Sequence, residues 1–216
     1  MTLRGFICAI IAFAAAAGLS LPAQAHPHVW ISMKSEVVYA PDGRVTGIRH
    51  HWSFDDMFSA YATQGIEAKE KGRFTAEELA PLAKINVDSL KEFGYFTYAT
   101  ADGQKVPLGE PLPDYSLDYK DAILTLNFTL PLKTPLKAKA FKAEVYDPQI
   151  FIDFSFAKDT PVTLAGAPDG CKLGVELPRE LTFDEGRRLS QIGPNETNTE
   201  MAWGANFANK IMVNCQ

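Results

Sequence analysis

Histidine is scarce in this sequence, and it is clustered where it occurs. The four histidines are His26, His28, His50 and His51. The first pair stands in His26-Pro27-His28-Val29-Trp30, directly after Ala23-Gln24-Ala25, a small-x-small pattern typical of secretory cleavage. Cleavage there makes His26 the first residue and frees its α-amine, which ordinarily titrates at about 7.7–8.0. A neutral amine and the imidazole Nδ1 of one residue can chelate a metal ion together. His28 can join from the same side, because side chains two residues apart in an extended segment share a face. Pro27 favours that extended path. Pro27 also excludes the usual amino-terminal copper and nickel motif, which binds through a deprotonated amide at the second residue.

Further ligands must come from elsewhere in the chain. His50 or His51 can supply a third imidazole, but adjacent residues of a strand point to opposite faces, so only one faces the site. Asp55 and Asp56 by the hairpin end, and Asp147 and Asp153 later in the chain, are the carboxylate candidates. Imidazole with carboxylate suits zinc, nickel or cobalt, whereas imidazoles with an amine lean to copper as a histidine brace. Affinity order favours copper at nearly any such site, so ligand types do not fix the metal. The plain alternative is that His-x-His is a frayed polar chain end. Asp153 lies between Ile152 and Phe154: facing inward it needs a partner, facing outward it needs none.

Composition narrows the class of protein. Residues 1–25 read as a signal peptide, with Arg4 before an apolar run over residues 6–18 that is too short to span a bilayer comfortably. Its removal leaves 191 residues and changes the net charge from −5 to −6, because it contains one Arg and no acid. An acidic chain of this kind argues against nucleic acid as a partner. No second apolar stretch reaches spanning length, so a soluble periplasmic protein is expected. No Ser/His/Asp or Cys/His nucleophile arrangement and no Gly-rich phosphate loop is present, so an enzyme is not expected. Cys8 leaves with the signal peptide. Cys171 and Cys215 remain, as a disulfide in an oxidising compartment or, alternatively, as a thiolate pair.

The elements that must position these residues are mostly strands. Residues 29–39 and 44–54 read as a hairpin around Pro41-Asp42-Gly43. Pairing Ala40 with Arg44 sets His28 opposite Asp56 and Trp30 opposite Phe54, and a one-residue slip reverses the faces. Trp30, Trp52 and Phe54 are candidate core aromatics. Residues 55–67 read as a helix capped by an aspartate. A second helix starts at the capping box Thr75-Ala76-Glu77-Glu78 and ends at Gly94. Between the helices, residues 67–78 have the outline of an EF-hand loop. Lys69 and Lys71 stand where calcium needs oxygens, so no calcium is expected there.

Strands follow at 95–100, 115–119 and 122–130, where Leu124, Leu126, Phe128 and Leu130 alternate. Residues 131–139 read as a basic loop. Residues 141–146 and 150–156 read as a strand pair around Asp147-Pro148. Residues 158–170 resemble a linker, and beyond them lie a strand at 171–177, a helix at 183–192 and a terminal strand at 211–214. The expected fold is α+β: a β-sandwich-like antiparallel core with a helix–loop–helix insertion after the first hairpin and a small α/β tail. The expected divisions are 26–160, with the insertion at about 55–93, and 161–216.

Several stretches together resemble a known family. They are His26-Pro27-His28-Val29-Trp30, Trp52-Ser53-Phe54-Asp55-Asp56-Met57-Phe58-Ser59, Glu77-Glu78-Leu79-Ala80-Pro81-Leu82, and Tyr146-Asp147-Pro148 followed by Phe151-Ile152-Asp153-Phe154. The family is bacterial and of uncharacterised function, and its members are labelled the periplasmic component of an ABC-type transport system. The resemblance implies association with nickel/cobalt-type inner-membrane permeases and, for some members, zinc acquisition. By motif it points to His26, His28, Asp55, Asp147 and Asp153 as ligands. His50 and His51 rest on spacing alone. The sequence therefore reads as a metal carrier serving a permease, with a copper-brace carrier or oxidase and a metal-free interaction domain as the alternatives.

Overall fold

The computed structural model describes residues 29–70, 72–189 and 204–216. Two sheets carry the fold. The first has the order β5 (Ser116–Lys120), β6 (Ile123–Leu136), β2 (Val45–Phe54), β1 (Val29–Tyr39), β8 (Ile152–Phe156), with β9 (Val162–Ala165) also on β1. The second has the order β10 (Lys172–Glu176), β11 (Asn209–Asn214), β7 (Ala140–Val145), β3 (Thr97–Ala101), β4 (Gln104–Val106). Every pairing is antiparallel except those of β8 and β9 with β1. The result is the α+β, sandwich-like arrangement that the alternating strands predict.

The first hairpin departs from the expected register by one residue. Ala40 and Arg44 do meet at the turn, with the Ala40 N–H donating to the Arg44 carbonyl at 2.8 Å. An irregularity at Val38/Tyr39 then sets Ile31, not Trp30, opposite Phe54. Thr46 is the extra residue, a β-bulge in β2 whose hydroxyl donates to the Val38 carbonyl at 3.1 Å. The bulge changes the phase of burial along the strand. Val45 and Gly47 are buried before the alternation resumes as Ile48, His50, Trp52 and Phe54. Trp30 accordingly lies on the outer face, 43% exposed, while Trp52 and Phe54 are core residues.

Gly47 sits tight against β6, since a Cβ there would lie 2.5 Å from the Leu130 carbonyl oxygen. Pro131 pairs with Gly47 beside the bulge, a position that tolerates proline's missing N–H. The strand therefore runs through Pro131 to Leu136, where a basic loop was expected.

The inner face of the first sheet is covered in two halves. One half packs on α2 (Ala76–Leu90) through Leu79, Ala83 and Val87, with α1 (Asp56–Ala62) alongside. Burying a Leu or Phe side chain of this kind contributes roughly 1.5–3 kcal/mol. The other half packs on the second sheet through Val37, Ile48, Phe141 and Ile211. Leu124, Leu126, Phe128 and Leu130 face inward, as their alternation predicts.

The helices are shorter than expected. Asp55 caps α1, its Oδ1 accepting from the Phe58 N–H at 2.8 Å. Thr63 ends that helix by turning its hydroxyl back to the Ser59 carbonyl at 2.8 Å. Ser59 is buried and accepts the Leu124 N–H at 3.0 Å, which docks α1 on β6. The capping box at Thr75 and Glu78 forms in full. Glu78 also accepts the Lys69 N–H at 2.9 Å, so the last acid of the EF-hand-like loop spends its oxygens on backbone amides. A 3₁₀ turn over Lys91–Phe96 follows α2, with positive φ at Gly94, Tyr95 and Phe96, which delays β3 until Thr97.

Two further expectations are corrected. Residues 141–146 and 150–156 do not pair with each other: β7 belongs to the second sheet and β8 to the first. Both neighbours of β7 are already occupied by β3 and β11, and residues 147–151 form a corner between the sheets. The linker-like stretch 158–170 contains β9, which pairs with Ser35–Val38 of β1. Helix α3 covers Phe183–Leu189, and the rest of the expected helix lies outside the described residues.

Cys171 and Cys215 form a disulfide just beyond the β10–β11 pair. The C-terminal segment thus adds β9 to the first sheet and both β10 and β11 to the second. Gly204 packs directly on the corner, where a Cβ would lie 2.5 Å from the Asp147 carbonyl oxygen and 2.6 Å from Pro148 Cα. Both obstacles are backbone and cannot rotate away. Gly204→Ala should lower stability by about 2–3 kcal/mol, an overpacking cost measurable by urea denaturation.

Candidate functional site

The first residues of β1 are where the candidate carboxylates gather. Asp55 holds them from one side: the Trp30 N–H donates to Asp55 Oδ2 at 2.9 Å, and the Asp55 N–H donates to the Trp30 carbonyl at 2.9 Å. On the other side β8 runs parallel, with Val29 beside Ile152 and Trp30 beside Asp153. Asp147 organises the approach to β8. Its carboxylate accepts the N–H groups of Gln149, Phe151 and Ile152 at 2.8, 2.9 and 3.1 Å. Those bonds secure the corner in which Ile150 adopts φ 61°. Asp55 and Asp153 therefore flank Trp30 directly, and Asp147 stands behind them, although they are almost a hundred residues apart in sequence.

The three carboxylates are not equivalent. Asp55 and Asp147 each use both oxygens on backbone amides, so both are primarily structural. Asp153 makes no hydrogen bond or ion pair with the described residues and reaches the surface. It lines a cavity of about 340 Å³ beside Arg179 and Phe207. Partial withdrawal from water raises its carboxyl above the usual range. It is the carboxylate best placed to accept a new partner.

The two adjacent histidines have separate fates. His50 is fully buried between Trp52 and Phe128, with ring centroids at 5.4 and 5.2 Å. Its Nδ1 lies 2.9 Å from Ser35 Oγ and its Nε2 lies 3.3 Å from Thr97 Oγ1. The Thr97 hydroxyl donates its proton to the Tyr95 carbonyl at 2.8 Å, so it must accept from Nε2. Nδ1 then accepts from Ser35. The ring is neutral with both nitrogens occupied, and it ties β1 and β2 to β3 of the other sheet. Burial drives its pKa down to about 3, with His51 adding a smaller effect in the same direction. In this position His50 is a core residue and offers no nitrogen to a metal.

His51 lies on the outer face, its Nδ1 2.6 Å from Asn127 Oδ1. It pairs with Lys34, four residues along β1 from Trp30. At about 3.3 Å per residue it stands some 13 Å from the carboxylates. His26 and His28 lie outside the described residues. Among the described residues no three His, Cys, Asp or Glu side chains form a group that could hold a metal ion.

A feature that sequence reasoning missed is an apolar cleft of about 790 Å³ between α1, α2 and the first strands. Its signal was present in Phe58, Tyr61 and Ala62 and in Leu82 and Ile85. Each set follows helical spacing and leaves apolar positions that a single sheet face cannot cover. Among the described residues no helix is long and apolar enough to cross a membrane.

Comparison with known proteins follows the same outline. A Haemophilus influenzae (strain Rd) relative described as an uncharacterized protein is 22% identical over 201 residues, covering 92% of this chain and 95% of its own length. A Spirochaeta aurantia relative, described as an uncharacterized 15.5 kDa protein in the trpE 3' region, is 34% identical over 107 residues, covering 49% of this chain and 75% of its own. Residues 11–215 match the family described as "Protein of unknown function (DUF1007)", and the chain belongs to that family.

Proposed function

We propose that this protein is a periplasmic metal-binding accessory protein that captures zinc, nickel or cobalt and passes it to an inner-membrane permease. The observation that carries this reading is the position of Asp153, a carboxylate without a partner among the described residues, beside Trp30 at the start of β1. His28 directly precedes Val29 in the sequence. Two imidazoles and an amine at the mature terminus, together with Asp153, would make a nitrogen–oxygen donor set suited to these ions. A site half built from a chain end exchanges ligands readily, which suits cargo that must be handed on. The cleavage pattern before His26 and the Cys171–Cys215 disulfide fit an oxidising compartment outside the cytoplasm. The resemblance to transport-associated proteins supports the permease as recipient.

Calorimetric titration of protein beginning at His26 tests the reading. Zinc or nickel should bind with one-to-one stoichiometry, and His28→Ala and Asp153→Asn should each weaken binding at least tenfold, a loss of about 1.4 kcal/mol or more. One extra residue before His26 removes the chelating amine. Collapse of copper binding alone in that variant would instead favour the brace. Absence of binding, or affinity unchanged in both substitutions, would remove the proposal. Binding must also weaken on acidification, because Asp153 and the imidazoles bind metal deprotonated.

A further inference from the structure

We propose that the cleft between α1, α2 and the start of β1 is a binding site for a small organic cation with an apolar body. This proposal does not depend on the metal reading. The cleft's volume of about 790 Å³ falls within the range of small-molecule sites, about 300–1,000 Å³. Its walls include Trp52, Phe54, Phe58, Phe96 and Phe151. Its mouth is ringed by Tyr61, Ile85 and Phe93, which are 72%, 61% and 47% exposed. Apolar side chains exposed around an apolar recess mark a surface that is covered in use.

Two observations define the occupant. Among the described residues, those lining the cleft include one carboxylate, Asp147, and no Lys, Arg or His. Aromatic faces with a single negative charge attract cations and disfavour fatty acids, phospholipids and other anions. The second observation is Trp52. Its side chain lines the cleft, and its indole Nε1–H is buried without a hydrogen-bond partner among the described residues. A buried donor of this kind calls for an acceptor that the described residues do not provide. A ligand with an ammonium or amine head, an aromatic or alkyl body and one acceptor atom would satisfy both features.

The test compares two probes of equal chain length below their micellar concentrations, dodecyltrimethylammonium and dodecyl sulfate, titrated calorimetrically into the protein. The cation should bind one-to-one, and dodecyl sulfate at least tenfold more weakly. Ile85→Arg should weaken cation binding at least tenfold. Leu173→Arg, an equal change on the far edge strand β10, should leave it within twofold. Tyr61→Arg serves as a second rim variant should Ile85→Arg fail to fold. Equal losses in the rim and edge variants would reveal generic charge attraction and overturn the proposal. So would equal affinity for both probes, or no binding of the cation. Sedimentation completes the test: a dimer that rim substitution dissociates would assign the cleft to a second copy of the chain instead.

Discussion

Lowering the pH from 7 to 4 should cost this protein about 3 kcal/mol of stability through His50 alone. The sign follows from where the proton binds. In the unfolded chain a histidine titrates near 6.5, whereas burial holds His50 at about 3 in the fold. Between those values the unfolded chain binds the proton and the native protein refuses it. Stability is therefore intact above pH 6.5 and falls as the pH drops, by about 2 kcal/mol at pH 5 and about 3 at pH 4. The structure explains the refusal. The Nε2–H donates to a Thr97 oxygen whose own proton is committed to Tyr95, and Nδ1 can gain a proton only if Ser35 turns its hydroxyl away. His50→Gln keeps a donor and an acceptor but cannot titrate. Urea unfolding at pH 7 should show that variant weakened by roughly 1–3 kcal/mol. Its further loss on going to pH 5 should be smaller than that of the native protein by about 2 kcal/mol. An undiminished acid slope in the variant would place the titrating group elsewhere.

Replacing Cys171 and Cys215 together by serine should destabilise the protein by about 4 kcal/mol on the loop-entropy account. The two residues are 44 apart and close a loop containing β10, α3 and β11. Without the bond the unfolded chain regains the freedom of that loop. For a chain of this size the corresponding fall in melting temperature is roughly 8–16 °C, readable by calorimetry with and without reductant. The native arrangement should survive at low temperature, because β11 remains hydrogen-bonded to both β7 and β10. A shift below about 2 °C would mean that the loop is already restrained in the unfolded chain.

Much of the fold was legible because it is written in local pattern. The alternation of Leu124 to Leu130, the Thr75 capping box and the turn at Pro41-Asp42-Gly43 each act over a few residues. What escaped depends on distant partners. The strands on either side of Asp147-Pro148 have the look of a hairpin. They join different sheets because β7 is already flanked by β3 and β11, a fact settled by residues forty or more positions away. Residues 162–165 look like linker because β9 contributes only one short parallel pairing. The candidate site shows the same division. Spacing drew Asp55 correctly to the start of β1, and motif resemblance drew Asp153 there. Spacing also made His50 and His51 equal candidates, and only packing separates them. A histidine beside tryptophan in a strand is indistinguishable in sequence from one beside a ligand.

The bulge at Thr46 bears on how this protein can change length. One supernumerary residue lies between the turn and the aromatic core. Losing Thr46 itself leaves Tyr39 opposite Val45 and Val38 opposite Gly47, so the turn and the inward set Ile48, His50, Trp52 and Phe54 all keep their places. Losing a second residue from the strand would turn that set to the outer face or open the turn. The hairpin thus carries one residue of slack, and the bulge is the position at which it can shorten without the core sensing it.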